Sequence, residues 1–355
     1  MAQIDTLAQQ FELDRPYLRG VAYRMLGSFD DAEDAVQDAW LRASAAKVEG
    51  IENMRAWLTT IVSRVCLNML RARRIHKEES LELHMPDPII GPPSEDPEAQ
   101  AVLTDSVSFA LFLVLDTLSP DERLAFILHD MFAVPFDEIA TILDKSPEAA
   151  RKLASRARTR VRSGAPHSDS PRSERAVVDA FLHAAQSGDM QELMQVLHPD
   201  VILRNDVLSS HPIVIRQGAD SVATGARAFS AARNVSGYRA TINGAPGAIG
   251  VMDGKIASVA AFTVVDGRIT AIDILTDRAR LAKIDPAILN NWPEFRKRPE
   301  SPAVSGRRVG NDHSTLTLRS SYAPPSIALA VVAADGFSGR HSAYLRSLSA
   351  GAMLR

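Results

Sequence analysis

Apolar positions recur every three or four residues near the start of the chain. Phe11, Tyr17, Leu18, Val21, Ala22, Met25 and Leu26 keep that spacing, which predicts an amphipathic helix. Gly27-Ser28 breaks it. Asp30 with Glu33 reads as a capping pair for a second helix. That helix puts Val36, Ala39 and Trp40 on one side and Asp31, Asp34 and Asp38 on another. A third helix starts near Met54 and runs to about Ile75, with Trp57, Leu58, Ile61, Val65 and Leu67 as its buried positions.

Five prolines within residues 83–100 exclude a single helix there and predict an extended linker. Helical spacing returns over 101–162. Ser119-Pro120-Asp121-Glu122 combines a Ser cap, a proline at the first position and a Glu three residues after the cap. Phe136 to Leu143, the turn Asp144-Lys145-Ser146 and a helix opened by Pro147 and capped by Ser146 make the pattern of a helix-turn-helix. A second linker occupies 163–172. Beyond it the pattern predicts helices at Glu174–Gln186, Asp189–Leu197 and Ala219–Arg233. It predicts strands at Val201–Leu203, Ile213–Ile215, Tyr238–Ile242, Ile256–Val265 and from Ile269 to Ile274. Asp253-Gly254 and Asp266-Gly267 are hairpin signals. This last part reads as a separate α+β domain. After Pro299 the chain is rich in Ser, Pro, Gly, Ala and Arg, and disorder is expected over 299–355.

Length changes this picture little: 355 residues suit two to three domains at roughly 150 residues each. A single cysteine, Cys66, excludes an intramolecular disulfide and fits a reducing compartment. The longest apolar run, Ile327 to Ala334, is far short of the roughly 20 residues of a membrane helix, and the start lacks a signal-peptide pattern. A cytoplasmic protein with no membrane partner is expected.

Charge changes the picture more. The net charge of -3 is a sum of opposed blocks. Asp30, Asp31, Glu33, Asp34 and Asp38 stand together without a base. Arg55, Arg64, Arg71, Arg73, Arg74 and Lys77 lie on the third helix without an acid. Arg151, Lys152, Arg156, Arg158, Arg160 and Arg162 do the same on the last helix before the second linker.

Arg64, Asn68 and Arg71 share one helix face. Arginine neutralises phosphate, and Asn or Arg hydrogen-bonds base edges. Trp57 suits stacking on an unpaired base, although a core position suits it better. In the helix-turn-helix, Ala149, Ala150, Ala154 and Ala157 form a small inner face. Glu148, Arg151, Lys152 and Ser155 occupy the half that enters a major groove, and Arg156, Arg158, Arg160 and Arg162 come next for phosphates. The acidic helix repels phosphates and suits a protein partner carrying basic residues.

Taken in order, YRMLGS, DDAEDAVQDAWLRA, MRAWLTTIVSRVCLNMLRARR and the run from LSPDERLAF to RARTRVR resemble regions two and four of an extracytoplasmic-function (ECF) RNA polymerase sigma factor. The resemblance covers about 5–162. Residues 173–285 are similar to the SnoaL-like domain that one subgroup carries after region four. Met85-Pro86-Asp87-Pro88 is similar to that subgroup's Leu-Pro-Glu-Pro linker motif. Thr276 to Leu281 stands where the subgroup often has Asn-Pro-Asp-Lys-Leu, and Asn205 to Ser209 departs from its glycine-rich turn.

The resemblance implies a multidomain fold: two all-α sigma modules, a region 2 bundle (5–77) and a region 4 helix-turn-helix (106–162), joined by a linker (78–105). An α+β SnoaL/NTF2-like cone domain (173–285) comes after them. The implied partners are core RNA polymerase, at the β′ clamp helices and the β flap, and promoter DNA. By resemblance Asp34, Val36, Gln37 and Asp38 dock on polymerase. Arg64, Asn68, Arg71, Arg73 and Arg74 read the −10 element. Glu148, Arg151, Lys152, Ser155 and Arg156 read the −35 element. The last domain is expected to regulate in cis.

Two other readings are a stand-alone helix-turn-helix regulator with a ligand-sensing domain, and a SnoaL-like enzyme fused to a DNA-binding module. For the enzyme the candidates are Asp206, His211 and Asp273, each with a plain structural alternative. No catalysis, cofactor or metal is expected. The nine His are scattered without ligand spacing, and the sequence names no small-molecule ligand.

Overall fold

The computed structural model describes residues 2–46, 50–77, 85–92, 108–164, 171–206, 213–232 and 236–292. The disorder expected over 299–355 lies outside these residues, as does His211.

Three helices open the chain: α1 (Ala2–Leu26), α2 (Phe29–Ala45) and α3 (Met54–Lys77). Gly27, at φ +76, ends α1 in the left-handed region that a side chain disfavours. Ser28, not Asp30, caps α2: its hydroxyl accepts from the Asp31 amide. Serine reaches that amide because it sits one residue before the first helical turn, whereas Asp30 already lies inside it. Ala32, Ala35, Ala39 and Ala43 are buried on α2, and such small side chains let α1 and α3 approach closely. Asp14, buried on α1, accepts from Arg55 Nε at 2.6 Å and from Gln10 at 2.8 Å, which compensates its desolvation.

The next four helices are α4 (Phe109–Leu115), α5 (Pro120–Phe126), α6 (Phe136–Leu143) and α7 (Pro147–Gly164). A π-turn at Ile127–Met131 separates α5 from α6. The capping box is present in full, with Ser119 Oγ accepting from the Glu122 amide and Glu122 accepting from the Ser119 amide. Asp144 adopts φ 55 and ψ 51 between α6 and α7, the left-handed turn that sets the angle of the helix-turn-helix. Leu58, Val62 and Cys66 of α3 and Leu124, Ile139 and Ala154 of the second group belong to one continuous core. The two helical groups thus pack together.

The C-terminal part has α8 (Pro171–Ser187), α9 (Met190–Val196) and α10 (Ala219–Ala232). Its strands are β2 (Leu197–Asp206), β3 (Val214–Gln217), β4 (Ser236–Ile242), β5 (Ala245–Met252), β6 (Lys255–Val265) and β7 (Arg268–Leu275). A short α11 (Arg278–Leu281) and a 3-10 turn (Pro286–Asn291) close it. Three hairpins turn on Asn243-Gly244, Asp253-Gly254 and Asp266-Gly267, each with positive φ at both residues, as type I′ turns demand. The first hairpin and the Gly-rich β5 are not among the elements expected from the sequence. Residues APGAIGVM offer little strand propensity, and pairing with β4 and β6 supplies what propensity lacks.

The sheet has a further member. Ile90–Gly91 of the proline-rich linker forms β1 and pairs antiparallel with β4, giving the order β1-β4-β5-β6-β7-β2-β3. Among the described strands only β2 and β7 run parallel. Val178, Phe181, Leu193 and Val222 from α8, α9 and α10 cover one face, meeting Phe262 and Ile272. Met85 of the linker, Phe109 of α4, Leu281 and Trp292 cover the other, over Ile242, Ile249 and Leu275.

Polar contacts fasten the linker on both sides. The Asp87 amide donates to the Gly27 carbonyl at 2.8 Å, and the Asp87 carboxylate accepts from the Phe29 amide at 2.8 Å. Arg280 donates to the same carboxylate at 2.6 Å, to Asp206 at 2.6 Å and to the Met85 carbonyl at 3.0 Å. Asn243 exchanges hydrogen bonds with Ile89 and donates to the Tyr23 hydroxyl at 3.2 Å. Tyr23 Oη in turn donates to the Asp87 carbonyl at 2.6 Å, and burial pushes its phenol up, so it stays a neutral donor. The two motifs read separately in the sequence, Met85–Pro88 and Thr276–Leu281, therefore meet each other.

Arg280→Ala would leave two largely buried carboxylates without their cation. We expect it to lower the unfolding free energy by on the order of 3 kcal/mol and to speed amide exchange at Asp87 and Ile89. Chemical denaturation and hydrogen exchange check this; unchanged exchange at Ile89 would sink it.

Candidate nucleic-acid interface

Helix α3 exposes Arg64, Asn68, Arg71 and Arg74, while Val62, Cys66 and Leu70 face the core. Arg73 is placed differently. It lies about 180° around the helix from Arg64, and its guanidinium donates to the Leu26 carbonyl at 3.1 Å and pairs with Asp31. It ties α3 to the corner between α1 and α2. Trp57 is half-buried against the shared core. Arg64 and Arg71 are exposed but engaged: Arg64 Nη2 donates to the Thr141 carbonyl at 2.8 Å, and Arg71 Nη2 to Asp121 at 2.8 Å.

Helix α7 buries Ala150, Ala154 and Ala157 and exposes Glu148, Arg151, Lys152, Ser155 and Arg156 on the opposite side. Ser146 caps it through the Ala149 amide at 3.2 Å. Hydrogen bonds from Glu148's own amide and from Ser146 hold the Glu148 carboxyl below the usual carboxylate range. The Arg151 guanidinium sits 5.6 Å from the centroid of the Phe136 ring, which stacks on His129 at 3.9 Å. Arg158 is bound to Asp130 at 2.6 Å and Arg160 to Glu122 at 2.8 Å. Those two arginines therefore brace the module, whereas Arg156 and Arg162 remain exposed. Thr159 continues the exposed face one turn past Ser155; its i, i+4 spacing is the sequence signal for it.

Helix α2 exposes Asp34 and Gln37, and Asp38 pairs with Arg42 at 2.9 Å. Val36 does not join them. It is completely buried in the bundle, because it falls on the same stripe as Ala32, Ala35 and Ala39, and it presents no surface to a partner. Asp34, Asp38 and Arg42 face Val65, Asn68, Met69 and Ala72 of α3 across an open groove of about 380 Å³. Asn68 thus stands between the acidic and basic surfaces. Leu41 is 60% exposed beyond it.

In the C-terminal domain the two expected acid–base candidates among the described residues, Asp206 and Asp273, are engaged. Asp273 is buried and takes a bidentate contact from Arg204 at 2.6 and 3.2 Å. Burial raises its pKa, and Arg204 opposes the rise. Asp206 holds Arg280. Among the described residues no helix is long and apolar enough to cross a membrane.

These surfaces coincide with known families. The model of sigma-70 region 2 matches residues 11–75, and that of sigma-70 region 4 matches 108–161. The chain is 32% identical over 286 residues to the probable ECF RNA polymerase sigma factor SigI of Mycobacterium tuberculosis, spanning 79% of this chain and 97% of that one. The chain belongs to the ECF RNA polymerase sigma factors. It is also 41% identical over 218 residues to SigJ of the same organism, covering 60% of this chain and 70% of SigJ. The crystal structure of SigJ superposes on this sigma factor with a TM-score of 0.58 at 34% identity, over 81% of this chain and 99% of that one. The fold is thus two helical sigma modules with a SnoaL-like α+β domain after them. This sigma factor directs transcription with core RNA polymerase at promoter DNA.

Its arginines divide into those that brace the helices and those left exposed, and this has a measurable consequence. Arg73→Ala should lower stability by about 1 kcal/mol, through the lost pair and carbonyl contact. Arg74→Ala should leave the melting temperature unchanged and weaken binding to DNA. Equal melting temperatures for the two variants in calorimetry would contradict the division.

Proposed function

We propose that this sigma factor reads the −35 element with Glu148, Arg151, Lys152, Ser155 and Arg156, and the −10 element with Arg64, Asn68, Arg71 and Arg74. Asp34, Gln37 and Asp38 dock on the β′ clamp helices of polymerase, and region 4 meets the β flap. The observation that carries this reading is the exposed face of α7. It is capped, almost wholly basic or hydroxylic, and backed by an alanine face that fixes its orientation in the helix-turn-helix. Such a face delivers arginine and lysine donors to base edges while neighbouring cations neutralise phosphates. On α3 the basic face lies next to the acidic groove of α2, which suits opening of the duplex at the polymerase surface. Unstacked bases are then held by hydrogen bonds and stacking that offset the lost pairing.

The SnoaL-like domain regulates in cis in this reading, and no covalent chemistry is involved. Support comes from the linker, which adds strand β1 to that domain's sheet, and from Lys283, which pairs with Asp30 at the start of α2. The pairing of Asp206 with Arg280 and of Asp273 with Arg204 suits a structural role for both carboxylates.

Run-off transcription with core polymerase and start-site mapping test the reading. Arg151→Ala should cost about 1–3 kcal/mol of promoter binding and relax discrimination at one −35 position. Full activity of Arg151→Ala on every −35 sequence would refute its role. Lys283→Ala, which removes the fused domain's direct ion pair with α2, should change the run-off yield at saturating polymerase; an unchanged yield would refute regulation through this contact.

A further inference from the structure

Phe136, the first residue of α6, is half-buried at the edge of the shared core, and its ring touches the reading helix. The His129 imidazole stacks on that ring, with centroids 3.9 Å apart and planes 26° apart. The Arg151 guanidinium of α7 lies over the same ring, 5.6 Å from its centroid. The Arg151 side chain is 54% exposed, so this contact is not core packing.

The imidazole is itself held. Its Nδ1 lies 3.1 Å from the Val134 carbonyl, which can only accept, so Nδ1 carries the proton. Ala133 makes that contact possible. It adopts φ +54, uncommon for a residue with a side chain, and turns the chain back after the π-turn. The Ala133 amide then donates to the His129 carbonyl at 3.1 Å, and the Val134 amide to the Leu128 carbonyl at 2.9 Å. Beside His129, Asp130 holds Arg158 at 2.6 Å. Arg158 lies seven residues beyond Arg151, on the same stripe of α7. The π-turn and the start of α6 therefore grip the reading helix at two points of one face.

We infer that Phe136, seated on His129, is a positioning residue for Arg151: it parks the guanidinium where α7 meets a base edge of the −35 element. This rests on the reading of Arg151 given above. A free arginine loses much rotamer freedom when it binds, whereas a parked one loses less. The ring contact uses up no N–H donor. Glu148 approaches Arg151 at 4.0 Å, too far for a hydrogen bond, so it steers the cation without occupying the fork either. The planar fork stays available for a bidentate contact with a guanine. Placement matters for base choice alone, because the charge of Arg151 attracts phosphates wherever the side chain points. Losing the ring should therefore relax base preference at one position and leave the rest of promoter binding intact.

The test uses the full-length chain bound to core polymerase, on a promoter located by start-site mapping whose −35 region is randomised. The bound DNA is sequenced. Arg151→Ala should erase the preference at one −35 position. Phe136→Leu keeps an apolar side chain against the core and should lower the preference at that same position about two- to fivefold. Phe136→Tyr, which keeps the ring, should restore it. In the Arg151→Ala background, Phe136→Leu should change nothing further. Wild-type preference in Phe136→Leu overturns the positioning role, as does an equal loss at every position or the same loss without Arg151. His129→Gln leaves Phe136 in place and should give the same local loss. It carries the test where Phe136→Leu does not fold, and an unchanged preference then overturns the inference. If Arg151→Ala keeps every preference, the reading of Arg151 fails and the inference with it. A loss in Arg151→Ala with none in Phe136→Leu removes the positioning role alone.

Discussion

One guanidinium joins three stretches of chain that are far apart in sequence. Arg280, at the close of the SnoaL-like domain, holds Asp87 of the linker, Asp206 at the end of β2 and the Met85 carbonyl. Its planar fork satisfies several acceptors at once, which a lysine cannot do in the same geometry. Asp87 in turn takes the Phe29 amide at the start of α2 and gives its own amide to Gly27. The corner between α1 and α2, the linker and the last domain are therefore one polar joint. Burial makes that joint demanding, since each partly dehydrated carboxylate needs its cation.

The joint sets the path of the linker. Held at Asp87 and Asn243, residues 85–92 run along the sheet edge and contribute β1, with Met85 sealed beneath. The linker that connects two DNA-binding modules is thereby part of a third domain. Region 4 is brought back over α3, and a shared apolar core forms between them. Side chains proposed for promoter contact also serve this packing, as Arg64 and Arg71 show. A sigma factor built this way joins its last domain to the linker between its two helical modules through covalent continuity and one buried cation.

Much of this was legible in the sequence. The helical spacing of Leu18, Val21, Met25 and their neighbours is read directly, because burial on one face imposes its own period. The Ser119–Glu122 box and the Ser146 cap were legible for the same reason: both are local hydrogen-bond arrangements within four residues. The basic face of α7 was legible because a helix with three buried alanines can turn only its other side outward. Less was legible where a residue's role depends on what arrives from elsewhere. Val36 stands among the acidic residues expected to meet polymerase, yet the bundle buries it. Arg73 stands among the expected −10 readers, yet it faces Asp31. Asn243-Gly244 is a local turn signal that the strand pattern around it does not reveal, and β5 has no signal of its own, since its strand state comes from its neighbours.

The sequence by itself determined the family, the order of the modules, the helices and their caps, and the segregation of charge into one acidic and two basic faces. These are properties of short stretches, where periodicity and side-chain chemistry act within a few residues. Only the tertiary structure decided which arginines brace the helices and which stay exposed, that the linker is a strand of the last domain's sheet, and that Asp121 stands between Arg71 and Lys145. Those outcomes depend on groups separated by tens to hundreds of positions. Their pairing is set by burial and by the need of each desolvated charge for a partner, and no local pattern encodes it.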